Sequence, residues 1–160
     1  MKISDIVNEG PNDPHIFKAV FLAGGPGSGK SFVSGKLLAN TGLRVVNSDD
    51  VYEYMMKKKD LKLDPETIFS PQGQEVRGQA KAITKRKQDS HIVGRLGLII
   101  DGTGKDVAKY GKTKKMLEEL GYETMMLFVN TSLDVAQDRN TQRSRSLDPK
   151  VVEKMWNDVQ

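Results

Sequence analysis

The 160-residue chain has 25 lysines and arginines against 21 acids, a net charge of +4, with 37% hydrophobic and 29% charged residues. That balance is globular rather than disordered, suits a single domain, and leaves no run near the roughly 18 apolar residues of a membrane span. The chain has no cysteine, which excludes disulfides and thiolate metal sites and fits a reducing compartment.

Residues 1–15 carry Gly10, Pro11 and Pro14 and read as an arm leading into a domain over 16–160. They hold acids and no apolar run of signal-peptide length, so a cytoplasmic location is expected. "IFKAVFLA" (16–23) is a glycine-bounded apolar run and predicts a buried strand. A helix follows over 30–40, with Phe32, Val33, Leu37 and Leu38 at helical spacing and Gly42 as a stop. "LRVVNS" (43–48) predicts a second strand. "DDVYEYMMKKK" (49–59) predicts a helix with acids at its start and lysines at its end, as the helix dipole favours.

"LDPET" and "SPQG" place Asp or Ser before Pro, the pattern of helix starts, and predict a short turn near 64–69 and a helix from Pro71 to His91. "LGLIID" (96–101) predicts a third strand, 105–120 a helix stopped by Gly121, and "YETMMLFVN" (122–130) a fourth strand. Thr131 and Asp134 resemble a capping box for a helix over 131–143, and Asp148-Pro149 opens a last helix. Continuous apolar strands alternating with helices imply an α/β domain whose short, four-stranded parallel sheet is covered on both faces.

Gly24, Gly25, Pro26, Gly27, Ser28, Gly29, Lys30 and Ser31 fit G-x-x-x-x-G-K-[ST] between a predicted strand and a predicted helix. In that setting the pattern is a P-loop. Glycines let several backbone N–H groups converge on a phosphate, and the first helical turn, through Phe32, adds its amides and dipole. Lys30 then reaches the β- and γ-phosphates, and the Ser31 hydroxyl can ligate magnesium.

Ligands of open parallel sheets sit beyond the carboxyl ends of the strands. Asp49 and Asp50 follow the second strand there, and Asp101 ends the third. A carboxylate beside a P-loop can take a proton from an attacking hydroxyl or hold magnesium. At least one of Asp49 and Asp50 is also expected to cap the helix that begins there. Arg139 and Arg143 share a helix face, with Arg145 just beyond, and could stabilise charge on a transferring phosphoryl group. The basic helix 76–95 (Arg77, Lys81, Lys85, Arg86, Lys87, Arg95) reads as a solvated face, with a polyanion groove as the alternative. Met55, Met56, Met125 and Met126 read as core filler. Tyr52 and Tyr54 read as part of a helix half-buried against the sheet, or as base-stacking groups. Trp156 reads as a packing anchor beside Val152 and Met155. His15 and His91 show no metal spacing.

"GGPGSGKS", "NSDD", "IIDGTG" and "DRNTQRSRS…LDPKVVEKMW" follow one another as do the motifs of the 5′-hydroxyl kinase domain of phage polynucleotide kinase. Over residues 17–158 the chain resembles that family and the wider zeta-toxin-like small P-loop kinases. The resemblance implies a three-layer, adenylate-kinase-like P-loop NTPase with an arginine-bearing lid, using ATP and Mg2+. By position it makes Lys30 and Ser31 the phosphate and magnesium holders and Asp49 the general base. It makes Arg143 the lid arginine over ATP, and matches Asp101 to an acid near the substrate phosphate. Where the polynucleotide kinases carry an arginine three residues past the catalytic aspartate, this chain has Tyr52. "IIDGTG" and "LEELGYETMMLFVN" look as much like zeta-toxin-type kinases, whose acceptor is a nucleotide sugar. The expected activity is transfer of the γ-phosphate of ATP to a hydroxyl acceptor, first a polynucleotide 5′-end or nucleotide, alternatively a nucleotide sugar or small molecule. The rival of another class is an ATP-binding switch or nucleic-acid-binding module without acceptor chemistry.

Overall fold

The structure, a computed structural model, describes residues 16–36, 38–142 and 146–160. The expected arm at 1–15, with His15, and Leu37, Arg143 and Arg145 lie outside the described residues. Four strands, β1 (Lys18–Ala23), β2 (Arg44–Val46), β3 (Leu98–Asp101) and β4 (Glu123–Phe128), pair in the order β2-β3-β1-β4. All three pairings are parallel, with Phe21 opposite Ile100 on one side and Met126 on the other. The helices are α1 (Lys30–Lys36), α2 (Ser48–Lys58), α3 (Pro65–Phe69), α4 (Pro71–Val93), α5 (Val107–Glu119), α6 (Leu133–Thr141) and α7 (Pro149–Asn157). The expected α/β architecture is present, with boundaries shifted by a few residues.

Alternation along β1 sorts the core into two faces. Ala19 and Phe21 join Val46, Leu98, Leu117 and Tyr122 on the side covered by α5 and the end of α4. Val20 and Leu22 join Ile99 on the other side, with Val33 of α1 and Leu38 packed against them. A third cluster belongs to helices alone. Tyr52 and Met56 of α2 pack with Ile68 of α3 and Val76 and Ala80 of α4. The apolar positions of α4 recur three or four apart, at Gly73, Val76, Ala80 and Thr84, which is the helical period. Thus α2 packs on α4 rather than on the sheet as expected.

Two more expectations change with the sheet order. β4 is an edge strand, and Met125 and Met126, expected in the core, are 54% and 57% exposed. Phe32, placed by spacing on the packed face of α1, is 67% exposed, whereas Val33 beside it packs on the sheet. The helix caps also differ. Asn47, not an aspartate, caps α2 by accepting from Asp49 N–H, and Ser132 rather than Thr131 caps α6. Asp64, Ser70 and Asp148 cap α3, α4 and α7 as their Asp-Pro and Ser-Pro steps predict.

The last helix is tied to the domain by side chains reaching backbone. Buried Asn140 donates from Nδ2 to Leu147 O at 2.8 Å and accepts from Leu147 N–H at 2.9 Å. Trp156 Nε1 donates to Thr131 O at 2.8 Å, so it anchors α7 by a hydrogen bond as well as by packing. Asn140→Ala leaves both peptide groups of Leu147 without their partner. The expected cost is about 1–3 kcal/mol, a fall in Tm of several degrees measured by calorimetry.

Candidate active site

The site is built where β1, β2 and β3 end. β1 stops at Ala23 and the glycine loop follows at once, with Gly24 N–H held by Thr103 O at 3.0 Å. Gly27 has φ +76°, and a Cβ there would stand 2.5 Å from Ala136 O, so only glycine lets the loop lie this close to α6. The carbonyls of Gly27 and Ser28 face α6 and accept from Arg139 Nη1 at 3.1 and 3.3 Å. Lys30 donates from Nζ to Gly24 O at 2.6 Å and Gly25 O at 3.1 Å, folded along the inside of its own loop. Ser28 Oγ is buried and accepts or donates no hydrogen bond among the described residues.

A cavity of about 450 Å³ opens over this loop. Residues 25–31 form one wall, and Asn47, Asp49, Asp50, Glu53, Asp101, Gly102 and Thr103 the facing one. Leu147 and Met155 contribute an apolar corner. Asp49 and Glu53 are four apart on α2 and therefore share a face. Asn47 links the two carboxylate groups, capping α2 while its Nδ2 donates to Asp101 Oδ2 at 2.9 Å.

Burial is the main cause that lifts the Asp101 carboxyl above its ordinary pKa; Lys30 opposes the lift, and Asp50 and Asp49 add to it. Asp50 is raised as well, first by burial, then by Asp49, against the pull of Lys87. Asp101 Oδ1 is buried without a hydrogen-bond partner among the described residues. A buried carboxylate oxygen left unpaired beside a phosphate loop suits a cation or a donor brought by a ligand. Among the described residues no group of three or more His, Cys, Asp or Glu could hold a metal by itself. Magnesium shared with phosphates takes only one or two protein oxygens, so Ser31 and Asp101, which line the same cavity, fit that ion.

The placement of the expected site residues is therefore specific. Gly25 to Ser31, Asp49, Asp50 and Asp101 meet around one cavity. Gly24 sits beneath the loop, and Arg139 touches the loop's outer carbonyls. The Phe32 amide closes the first helical turn onto Gly29 O, and its ring is outside the cavity. Arg143 lies outside the described residues. Asn47, Glu53, Leu147 and Met155 were not anticipated. The four-residue spacing of Asp49 and Glu53 was the signal for Glu53; the others come together only through the fold.

Arg77 also departs from expectation. Instead of facing solvent, it lies over the Tyr52 ring, 4.3 Å from guanidinium carbon to ring centroid, with Nη1 3.5 Å from Asp49 Oδ1. Tyr52 itself is fully buried, while Tyr54 is exposed.

A glycine loop between the central strand and a helix, facing carboxylates at the ends of neighbouring parallel strands, is the site of a P-loop kinase fold. The AAA domain family model matches residues 20–160, and the chain belongs to that family. The fold is similar to a Chloroflexus aurantiacus protein proposed to be a kinase (TM-score 0.66, 16% identity, 87% of this chain and 77% of that one). It is similar to a chain of the Pnkp1/Rnl/Hen1 RNA repair complex (TM-score 0.68, 18% identity, 91% of this chain and 45% of that one). A third likeness is to the PezAT chromosomal toxin–antitoxin system of Streptococcus pneumoniae (TM-score 0.58, 17% identity, 78% of this chain and 51% of that one). The chain thus spans about half the length of these last two. No curated protein matches the sequence significantly.

The raised Asp101 pKa has a consequence for stability. The folded state holds the Asp101 proton more tightly than the unfolded chain, so ionisation of this group weakens the fold as pH rises above the ordinary carboxylate value of 3.8. Asp101→Asn removes that burden and keeps an oxygen for Asn47. Its Tm is expected to match or exceed that of the wild type at pH 7, with the difference shrinking as pH falls toward 3.8. Thermal melts of both proteins across this range check it; a Tm lower at pH 7 than at pH 4, relative to wild type, contradicts the assigned cause.

Proposed function

We propose that the protein is an ATP-dependent kinase that moves the γ-phosphate to a hydroxyl acceptor, a polynucleotide 5′-end or a nucleotide first. The observation that carries this is the single cavity with a phosphate loop on one wall and Asp49 on the other. A plain anion site needs no carboxylate across from it. A transferase needs one, to receive the proton that the attacking hydroxyl loses.

In this reading the amides of residues 25–31 and Lys30 hold the β- and γ-phosphates. Lys30 exchanges its contacts to Gly24 O and Gly25 O for phosphate oxygens. Asp49 accepts the acceptor's hydroxyl proton as the oxygen bonds to the γ-phosphorus. The bond from that phosphorus to the bridging oxygen breaks and ADP leaves. Magnesium, held by Ser31 and by Asp101 directly or through water, supplies charge neutralisation on the β- and γ-phosphates when bound. Arg143 keeps the role that the resemblance implies, stabilising charge on the transferring group, with Arg139 holding the loop's shape from outside.

Transfer of label from γ-labelled ATP tests the proposal. The acceptors are 5′-hydroxyl oligonucleotides, nucleosides, nucleoside monophosphates and UDP-sugars. Label on oligonucleotides or nucleotides is expected; label on UDP-sugars alone moves the acceptor to the nucleotide-sugar class. Asp49→Asn is expected to lower transfer by about 10²- to 10⁴-fold, the range of a lost general base, with ATP affinity within a few-fold. Equal loss of both would sink the base assignment. Tight ATP binding with no labelled acceptor would favour a switch without acceptor chemistry.

A further inference from the structure

Arg77 stands on the acceptor side of the cavity in an unusual state. Its side chain is three-quarters buried, 24% exposed, yet its guanidinium makes no hydrogen bond among the described residues. It is held by its face on Tyr52 and by the Asp49 carboxylate at 3.5 Å, a distance of ionic attraction rather than of a formed hydrogen bond. A guanidinium has five N–H donors in a planar fork. Stacking occupies its face and fixes its plane, while the donor edge stays available. Withdrawing such a group from water without satisfying its donors is costly, and a fold tolerates the cost where a ligand completes the set.

The stack is firmly supported. Tyr52 is locked among Met56, Ile68, Val76 and Ala80, and Val76 immediately precedes Arg77 on α4. The guanidinium is therefore placed by a packed helical core rather than by a mobile surface side chain. Its surroundings give it an electrostatic task. Asp49, Asp50, Glu53 and Asp101 all line the cavity, so an acceptor bearing a negative group near its hydroxyl would meet only repulsion there unless a cation answered it. Arg77 is the cation set against that wall, one ion pair away from the proposed base.

We infer that Arg77 anchors an oxyanion of the acceptor, a phosphate lying a few bonds from the reacting hydroxyl, and so selects phosphate-bearing acceptors over their neutral counterparts. The fork of Arg77 grips the phosphate while Asp49, beside it, takes the hydroxyl proton. The distance between the gripped phosphate and the reactive hydroxyl is then set by the Arg77–Asp49 pair. This inference rests on the reading of Asp49 as the base, and it adds the chemical class of the acceptor.

The test measures binding apart from turnover. The full chain is saturated with magnesium and a non-hydrolysable ATP analogue, so that the phosphate loop is filled. Calorimetry then compares two pairs of probes differing only in a phosphate: a nucleoside 3′-monophosphate with its nucleoside, and a sugar phosphate with its sugar. Wild type is expected to prefer the phosphorylated member of one pair, and which pair distinguishes a nucleotide from a sugar acceptor. Arg77→Met keeps the stem over Tyr52 and removes the charge. It should lose about 10- to 100-fold in affinity for the phosphorylated probe, the size of a charge-assisted contact, with no change for the neutral probe or the ATP analogue. Arg77→Lys should recover only part of the loss, because a point charge lacks the fork. Circular dichroism confirms that both variants are folded.

Equal affinities for phosphorylated and neutral probes in the wild type, or a preference that survives in Arg77→Met, overturn the inference. A matching loss for neutral probes overturns it too, assigning Arg77 a purely structural part. If the phosphate preference depends on Arg77 but no probe is ever phosphorylated, the anchor stands and the kinase reading fails.

Discussion

A peptide group that turns its N–H toward a bound anion turns its carbonyl away, and that carbonyl needs a donor of its own. In this protein the requirement falls on Gly27 and Ser28, whose carbonyls accept from Arg139 Nη1. Much of the fold follows from placing that arginine. α6 must approach the loop closely enough for Ala136 to touch Gly27, which excludes a side chain at 27. The start of α6 is placed by β4, the strand beside β1. Its end is tied by Asn140 to Leu147, which carries the chain on to α7 and brings Leu147 and Met155 to the cavity's apolar corner. An arginine that never touches phosphate in this arrangement thus governs the shape that phosphate would meet.

The facing wall obeys a different constraint, crowding of like charge. Four carboxylates line the cavity, and two of them, Asp50 and Asp101, are raised in pKa by burial and by their neighbours. Lys30, Lys87 and Arg77 each offset part of that repulsion from a different element, the loop helix and two turns of α4. None of these cations neutralises the set. An unpaired Asp101 oxygen and an unsatisfied guanidinium remain, on opposite sides of Asp49, and a well-packed protein keeps such groups where a ligand supplies what is missing.

The features legible in the sequence were those written locally. The glycine loop, the four strands and the Asp-Pro and Ser-Pro helix starts each depend on neighbours within a few residues, and each is present. What was misjudged depended on which elements meet. Met125 and Met126 belong to an apolar run that reads as buried, but the strand order puts β4 at the edge, a fact no local pattern carries. Asn47 took the cap expected of Asp49 or Asp50 because the helix begins one residue earlier, at Ser48. Arg77 sits among basic residues whose spacing suggests a solvated face; only the packing of α2 on α4 turns it toward Tyr52 and Asp49.

That division separates the two halves of the site. The phosphate loop and Asp101 stand on the sheet, whose two faces are filled by the clusters around Phe21 and Leu22. Asp49, Asp50 and Glu53 stand on α2, which packs on α3 and α4 in a core of its own. Two features join the halves: the hydrogen bond from Asn47 to Asp101, and α4, which supplies Val76 and Ala80 to the helical core and Ile92 to the sheet. A donor wall written in a short motif and built on the sheet can serve many acceptors. The acceptor wall, assembled from helices distant in sequence, can change its charges without disturbing the loop. This is why the phosphate chemistry is visible in eight consecutive residues, while the choice of acceptor is carried by contacts such as Arg77 on Tyr52, which only the folded chain brings together.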